Sequence, residues 1–308
     1  MKIFLTGASG FVGRNLAKRL IENGHTVTAC VRTTSDTSFI PDECRIVTAD
    51  LMSPESISSH LNDIEVIYHV AGAVKARSGE DFDRINAGLT AALVNAAKIQ
   101  SPKALFILAS SQAASGPGDY GPQSSYGRSK LLAEQVVTGL SRYIIVRSPA
   151  ALGPDDSETQ SFYAWARRGI TVTLGNNDVK FCIISISDLS SFMTMLADSP
   201  AAVGKVLQPS LPELITWKRI HKAMEKATGR RILRIPVPSF LVYTIGFLAE
   251  TMATLTGSRL LLDREKARDI TSSEWLCKQH EVEKITGWKP ELSFEETIQK
   301  AVQTPKQQ

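Results

Sequence analysis

Tyr126 and Lys130, in the run YGRSK, are residue types that together can move a proton to or from an oxygen near neutral pH. Four residues apart on a helix they share one face, so the ammonium can lie beneath the phenol and a bound ligand. A free tyrosine has a pKa of about 10, and a neighbouring cation or the positive end of a helix dipole draws it toward working pH. Ser124 and Ser125 are suitable N-caps and LLAEQVV carries the helix on toward Gly139, which puts Tyr126 near that positive end. Alone, the spacing commonly means a tyrosine and a solvated lysine. Here an apolar run expected as a strand, 103–109, leads into Ser110 and Ser111 just ahead of it, and strand C-termini are where open parallel sheets bind ligands.

The elements that must position these groups begin at the front of the chain. Residues 2–13 read KIFLTGASGFVG, an apolar strand running into Gly7, Gly10 and Gly13. Glycines allow a tight turn and close approach of a ligand, and the helix that follows offers unpaired N–H groups to a pyrophosphate. Val12, Leu16, Leu20 and Ile21 recur at helical spacing, Asn23-Gly24 closes the helix, and 25–31 reads as a second strand. Further strands are expected at 45–49, 65–71, 103–109 and 142–147, buried on both faces as in a parallel sheet, with helices at 54–61 and about 80–100 between them. Right-handed crossovers then give an α/β fold, a doubly wound parallel sheet. Residues 1–150 are read as a dinucleotide-binding Rossmann domain and 151–308 as mainly a smaller C-terminal substrate lobe, with about 180–210 returning to the first domain. The last residues, TPKQQ, read as frayed.

Composition narrows the classes. Of 308 residues, 43% are hydrophobic and 21% charged, which suits a globular core rather than a disordered chain. The net charge of +4 is spread without a basic run, so nucleic acid is not an expected partner. Cys30, Cys44, Cys182 and Cys277 are scattered, which argues against zinc or a disulfide framework and for buried thiols in a reducing compartment. With a strand starting at Lys2, no leader is expected, and a cytoplasmic location follows. Residues 235–249, IPVPSFLVYTIGFLA, lack charge but are too short to span a bilayer. They are expected to be buried in the substrate lobe, peripheral contact with a membrane or an apolar ligand being the alternative. A homodimer is left open.

Cofactor choice can be read from charge. NAD-binding corners commonly carry a carboxylate after the second strand, whereas this one ends Cys30-Val31-Arg32-Thr33-Thr34 with no acid before Asp36. Arg32 can pair with a 2′-phosphate, which favours NADP over NAD; a plain surface arginine is the alternative.

Taken together, TGASGFVG, Asp50-Leu51, HVAG at 69–72, Asn86, SSQAASG, YGRSK, RSPAALGP and ITGWKP resemble the extended short-chain dehydrogenase/reductase family, also called the NAD-dependent epimerase/dehydratase family. The resemblance spans nearly the whole chain. It implies hydride transfer between a nicotinamide and an alcohol or carbonyl carbon of a small-molecule substrate, without a metal. Tyr126 would be the general acid/base, Lys130 would anchor the nicotinamide ribose, and Ser111 would hydrogen-bond the substrate oxygen, with Ser110 second. Gly7, Gly10, Phe11, Val12 and Gly13 would hold the cofactor phosphates, Asp50 and Leu51 the adenine, and Ala71 and Gly72 would approach closely by backbone. Asn86 would support a water or the active-site helix, and His69, on a buried strand, reads as a structural imidazole.

Within the family, dehydratases carry acids directly after the catalytic Ser or Thr, and here Gln112 and Ala113 follow. The Arg-x-Gly-Asp element of nucleotide-sugar epimerases is also missing. Phe240, Leu241, Tyr243, Phe247, Leu248 and Met252 make the later part of the chain apolar, as in the 3β-hydroxysteroid dehydrogenase and dihydroflavonol reductase branches. An oxidoreductase acting on an apolar alcohol or ketone is therefore expected. A nucleotide-sugar epimerase with tightly bound NAD is the alternative, and a non-catalytic NADP(H)-binding sensor or assembly subunit the third reading.

Overall fold

The computed structural model describes residues 1–176, 179–256, 264–271 and 275–303, so the TPKQQ tail lies outside the described residues. The first half alternates strand and helix: β1 (Lys2–Thr6), α1 (Phe11–Glu22), β2 (Thr26–Val31), β3 (Arg45–Thr48), α2 (Pro54–Ser58) and β4 (Val66–His69). It continues through α3 (Gly79–Phe82), α4 (Leu89–Gln100), β5 (Leu105–Ser111), α5 (Ser125–Val137) and β6 (Tyr143–Ser148). The chain then crosses between layers with β7 (Ala150–Leu152), α6 (Gln160–Arg167), β8 (Ile170–Leu174), β9 (Lys180–Phe181), β10 (Ile183–Ser185), α7 (Ile186–Met195) and β11 (Lys205–Leu207). Last come β12 (Ile215–Thr216), α8 (Trp217–Thr228), β13 (Leu233–Val237), α9 (Ser239–Thr256), α10 (Arg264–Thr271), α11 (Gln279–Thr286) and α12 (Phe294–Gln303).

Seven parallel strands form the central sheet in the order β11-β6-β5-β4-β1-β2-β3. The order reverses between β1 and β4, where Thr6 lies opposite His69, and this switch point opens a crevice at the strand C-termini. One face carries Ile3, Leu5, Leu16, Leu20 and Phe192, and the other Phe4, Ile67, Leu93, Phe106 and Val137, all fully or almost fully buried. Each such side chain contributes roughly 1.5–3 kcal/mol by leaving water. β3 departs from the expected burial on both faces: it is the sheet edge, and Ile46 is exposed. A third core, around Tyr163, Trp217, Ile220 and Phe294, holds the later helices together.

Three further expectations change. The helix expected at 80–100 is interrupted by a π-helical turn, Asp83–Gly88, which carries Asn86. Cys182 and Cys277 are joined in a disulfide across 95 residues of sequence, while Cys30 and Cys44 are buried thiols. The apolar stretch expected inside the substrate lobe forms β13 and the start of α9, and most of its large side chains are exposed. No described helix is long and apolar enough to cross a membrane.

Candidate active site

The corner after β1 is built by close backbone approach. Gly7 has φ +75°, and a Cβ there would sit 2.5 Å from the Ala71 amide nitrogen; a Cβ at Gly13 would sit 2.0 Å from the Gly7 carbonyl oxygen. Any side chain at either position would force β1, α1 and the end of β4 apart. Gly10 N-caps α1 with no side-chain hydrogen bond across the helix end, so nothing competes for the first-turn amides at Phe11 and Val12. Such a donor set fits the pyrophosphate of a dinucleotide. Arg32 lies exposed just past β2, where its amide donates to Ser35 Oγ at 3.1 Å. Asp36, the next acid, is turned onto Ser38, whose amide and hydroxyl donate to it at 3.0 and 2.7 Å. Asp50 Oδ1 accepts from the Met52 amide at 2.9 Å and Leu51 is buried below the loop, while Gly72 is exposed at the crevice.

A buried polar chain links this corner to the helix that carries Tyr126. The Ala71 amide donates to Thr6 Oγ1, which bonds His69 Nδ1 at 2.7 Å, and His69 Nε2 meets Thr90 Oγ1 at 3.0 Å. Because the Thr90 hydroxyl donates to the Asn86 carbonyl at 2.6 Å, it must accept from His69, which assigns the ring proton to Nε2. Burial, with the nearby Lys130 cation, pushes His69 down to about 3, so the imidazole is neutral and structural. The Asn86 side chain exchanges hydrogen bonds with Ala73 and donates to Ser129 Oγ at 2.8 Å, and Ser129 in turn donates to the Tyr126 carbonyl. Asn86 therefore braces the helix that carries Tyr126. The wide π turn that places it, with i→i+5 bonds inside an otherwise continuous helical run, has no marker in the sequence.

Ser124 caps α5, accepting from the Gly127 amide at 3.2 Å, and Glu265 from α10 accepts from the Ser125 amide at 2.6 Å. Tyr126 packs edge-on against Phe82 and lines the same cavity as Ser111, whose hydroxyl is fixed by the Ala113 amide at 3.2 Å. Lys130 Nζ donates to the Ala109 carbonyl at 2.6 Å. Ser110 points elsewhere: its hydroxyl donates to Glu134 at 2.5 Å, and Arg147 clamps the same carboxylate through Nε and Nη2. The expected lowering of the tyrosine pKa is not what this arrangement produces. Burial raises it, the Ser111 hydroxyl opposes, and the Glu158 carboxylate adds to the rise, so the phenol keeps its proton at neutral pH. Burial lowers Lys130 to about 8 against the pull of Glu134.

Ser111 and Tyr126 face a cavity of about 330 Å³, within the range of small-molecule sites. Val74, Phe82, Pro149, Phe181, Ile270 and Trp275 give it mainly apolar walls, and the Cys182–Cys277 disulfide helps close one side. Burial alone would raise the Glu158 carboxyl in that wall, but Lys75 at 2.6 Å and Lys266 at 3.1 Å outweigh it and hold it below the usual range. Gln112 also lines the cavity, and its side-chain amide donates to the Leu276 carbonyl at 2.8 Å, tying the Trp275 segment to the end of β5. Sequence reasoning missed Glu158, Glu265 and Trp275, which reach the cavity from remote parts of the chain without a local motif.

Residues 3–207 match the family model described as NAD dependent epimerase/dehydratase family. A ceramide reductase of Caulobacter vibrioides is 31% identical over 277 residues, covering 89% of this chain and 85% of that protein. A UDP-glucose 4-epimerase of Vibrio cholerae is 24% identical, covering 98% and 94%. The UDP-glucuronic acid 4-epimerase of Bacillus cereus, solved in complex with NAD, superposes with a TM-score of 0.76 at 18% identity, covering 98% of this chain and 97% of that one. The glycine corner at the sheet's switch point, the match over two thirds of the sequence and the near full-length relatives have one meaning: this chain belongs to the NAD-dependent epimerase/dehydratase family of extended short-chain dehydrogenase/reductase enzymes, which use a nicotinamide dinucleotide.

Proposed function

We propose that the protein is an NADP(H)-preferring reductase of a carbonyl borne on an apolar, lipid-like molecule. The observation that carries this reading is the pairing of two hydroxyls, Ser111 and Tyr126, at one cavity whose remaining walls are mostly apolar. The phosphates would lie against the α1 N-terminus at Gly10, Phe11 and Val12, Asp50 and Leu51 would border the adenine, and Ala71 and Gly72 would approach by backbone. Lys130 would hold the ribose hydroxyls. When bound, the dinucleotide supplies the hydride that the carbonyl carbon accepts. As the carbonyl oxygen gains negative charge, Ser111 stabilises it by hydrogen bonding and Tyr126 gives up its phenolic proton to make the alcohol. A phenol that burial keeps protonated is the form this direction needs.

The ceramide reductase relative makes a long-chain amide lipid the first substrate class to test. The wall lysine, Lys266, and the neighbouring Lys75 are both paired with Glu158, which supports an apolar substrate over a sugar diphosphate. The deciding assay is NADPH consumption with a long-chain keto-amide, a small ketone and UDP-glucose. Lipid-dependent consumption is expected. Interconversion of UDP-sugars without net loss of NADPH would replace this reading with an epimerase, and NADPH binding with no turnover of anything would replace it with a sensor.

Two substitutions test the residue roles. Ser111→Ala should lower kcat by about 10²-fold, since it removes a donor to the developing alkoxide. Ser110→Ala should leave kcat within about three-fold but cost roughly 1–2 kcal/mol in thermal or urea unfolding, because the buried Glu134 carboxylate loses a partner. The reverse ranking would exchange their roles. Arg32→Glu should shift the NADPH-to-NADH ratio of kcat/KM by about 10–100-fold toward NADH, the range of a hydrogen bond to a charged group. An unchanged ratio would remove Arg32 from phosphate recognition.

A further inference from the structure

A surface helix normally turns an apolar stripe inward and a polar face to water. The first eleven residues of α9, 239–249, do the reverse of the second half of that rule. Val242 and Gly246, one turn apart, are buried, whereas Phe240, Leu241, Tyr243, Ile245, Phe247 and Leu248 are between 39% and 65% exposed. No charged residue falls in this stretch. The apolar surface continues along the chain into β13, where Leu233 and Ile235 share one strand face and are exposed, and the parallel register sets the exposed Ile170 of β8 beside Leu233.

Charge beside this surface is mainly basic, although Glu225 and Glu250 flank the stretch. Residues 226–249 contain Lys226, Arg230, Arg231 and Arg234 and no acid. Arg230, Arg231 and Arg234 are exposed, and so is Arg168, just before β8. The Leu233 amide donates to the Gly169 carbonyl at 2.8 Å, which brings the 168–170 and 230–233 segments together at one end of the strand pair. Arg234 is the member tied to a carboxylate, Glu225 at 3.2 Å. An exposed apolar helix next to clustered arginines is the two-part signal that holds a protein at an anionic lipid surface without spanning it.

The surface is also joined to the catalytic cavity. α9 packs on α10, with the Tyr243 hydroxyl 2.9 Å from Thr271 Oγ1 and the Arg264 guanidinium over the Phe247 ring at 5.2 Å. α10 in turn supplies Glu265, Lys266 and Ile270 to the cavity wall. We infer that α9 and the β8–β13 strand pair form a docking face for an anionic bilayer surface, which seats the cavity, across α10, beside the lipid phase. The reason for such a face comes from the lipid-borne substrate proposed above, but docking itself requires no turnover, so the two readings fail separately.

Co-sedimentation of the full chain with vesicles of phosphatidylcholine alone, and of phosphatidylcholine with phosphatidylglycerol, tests it. Wild type should bind the anionic vesicles and be released by salt. Phe240→Ser with Phe247→Ser should weaken binding at least ten-fold. Arg230→Gln with Arg231→Gln should weaken it about 25-fold on anionic vesicles, about five-fold for each arginine, with little change on neutral ones. Circular dichroism and turnover of a small soluble ketone should be as in wild type for both variants, which separates lost docking from lost folding. Wild type remaining in the supernatant with both vesicle types overturns the proposal. So does equal binding by wild type and the variants. Light scattering supplies the other refutation: a dimer that the phenylalanine pair splits, with no vesicle binding, would assign the face to a second copy of the chain.

Discussion

Replacing Tyr126 by phenylalanine is expected to lower kcat by about 10³-fold while leaving NADPH affinity within about two-fold of wild type. The substitution removes only the phenolic oxygen. The ring's edge-on packing against Phe82, at 5.8 Å between centroids, is retained, as is the backbone carbonyl that accepts from Ser129 at 2.7 Å. The glycine corner and Lys130 are untouched, so the loss should appear in the chemical step. Steady-state rates with the preferred carbonyl, together with an NADPH titration followed by calorimetry, measure both quantities. In the wild type, burial raises the phenol's pKa and keeps the proton it must donate, so a fall in reduction rate on the alkaline side should set in near pH 8, where the Lys130 ammonium is lost, and not from ionisation of Tyr126. Retention of kcat in the phenylalanine variant would transfer the proton to another group and discard the mechanism.

The parts of this fold that were legible are those written in contiguous residues. β1, α1 and β2 announce themselves through an apolar run, three spaced glycines and an Asn-Gly helix end, all within the first 31 residues. The YGRSK helix was equally clear, because its cap, Ser124, stands next to it. What could not be read depends on partners far away in the chain. Cys182 and Cys277 looked like separate thiols, and only the placement of β9, β10 and the segment before α11 brings them together. Gln112 looked informative for the acid it was not; in space it anchors Leu276, 164 residues on. The upward shift of Tyr126 was missed because burial, which no local pattern reports, outweighs the electrostatic effects that the pattern does report. The exposed start of α9 shows a different limit: apolar residues usually go inside, but an apolar run does not by itself say what will cover it.

Lys130→Met should move activity and stability in ways that a merely structural lysine would not. Activity is expected to fall at least about 10²-fold, with weaker NADPH binding, as the cation proposed to hold the ribose disappears. Stability follows from the sign of the pKa shift. Burial brings the folded-state pKa to about 8 from an ordinary 10.5, so between those values the unfolded chain binds more protons and wild-type stability rises with pH. Below about pH 8 the full cost of keeping the ammonium buried is present, on the order of 3 kcal/mol. Methionine carries no such cost at any pH, although it leaves the Ala109 carbonyl without the 2.6 Å donor it has in wild type, a loss of roughly 1–3 kcal/mol that is independent of pH. The difference in unfolding free energy, wild type minus variant, should therefore climb by about 3 kcal/mol from pH 8 to above 10.5 whatever its value at pH 7. Urea unfolding of both proteins across that range gives the slope directly. Parallel stability curves would mean that Lys130 titrates normally and is solvated in the folded protein, which would also withdraw it from beneath the ribose.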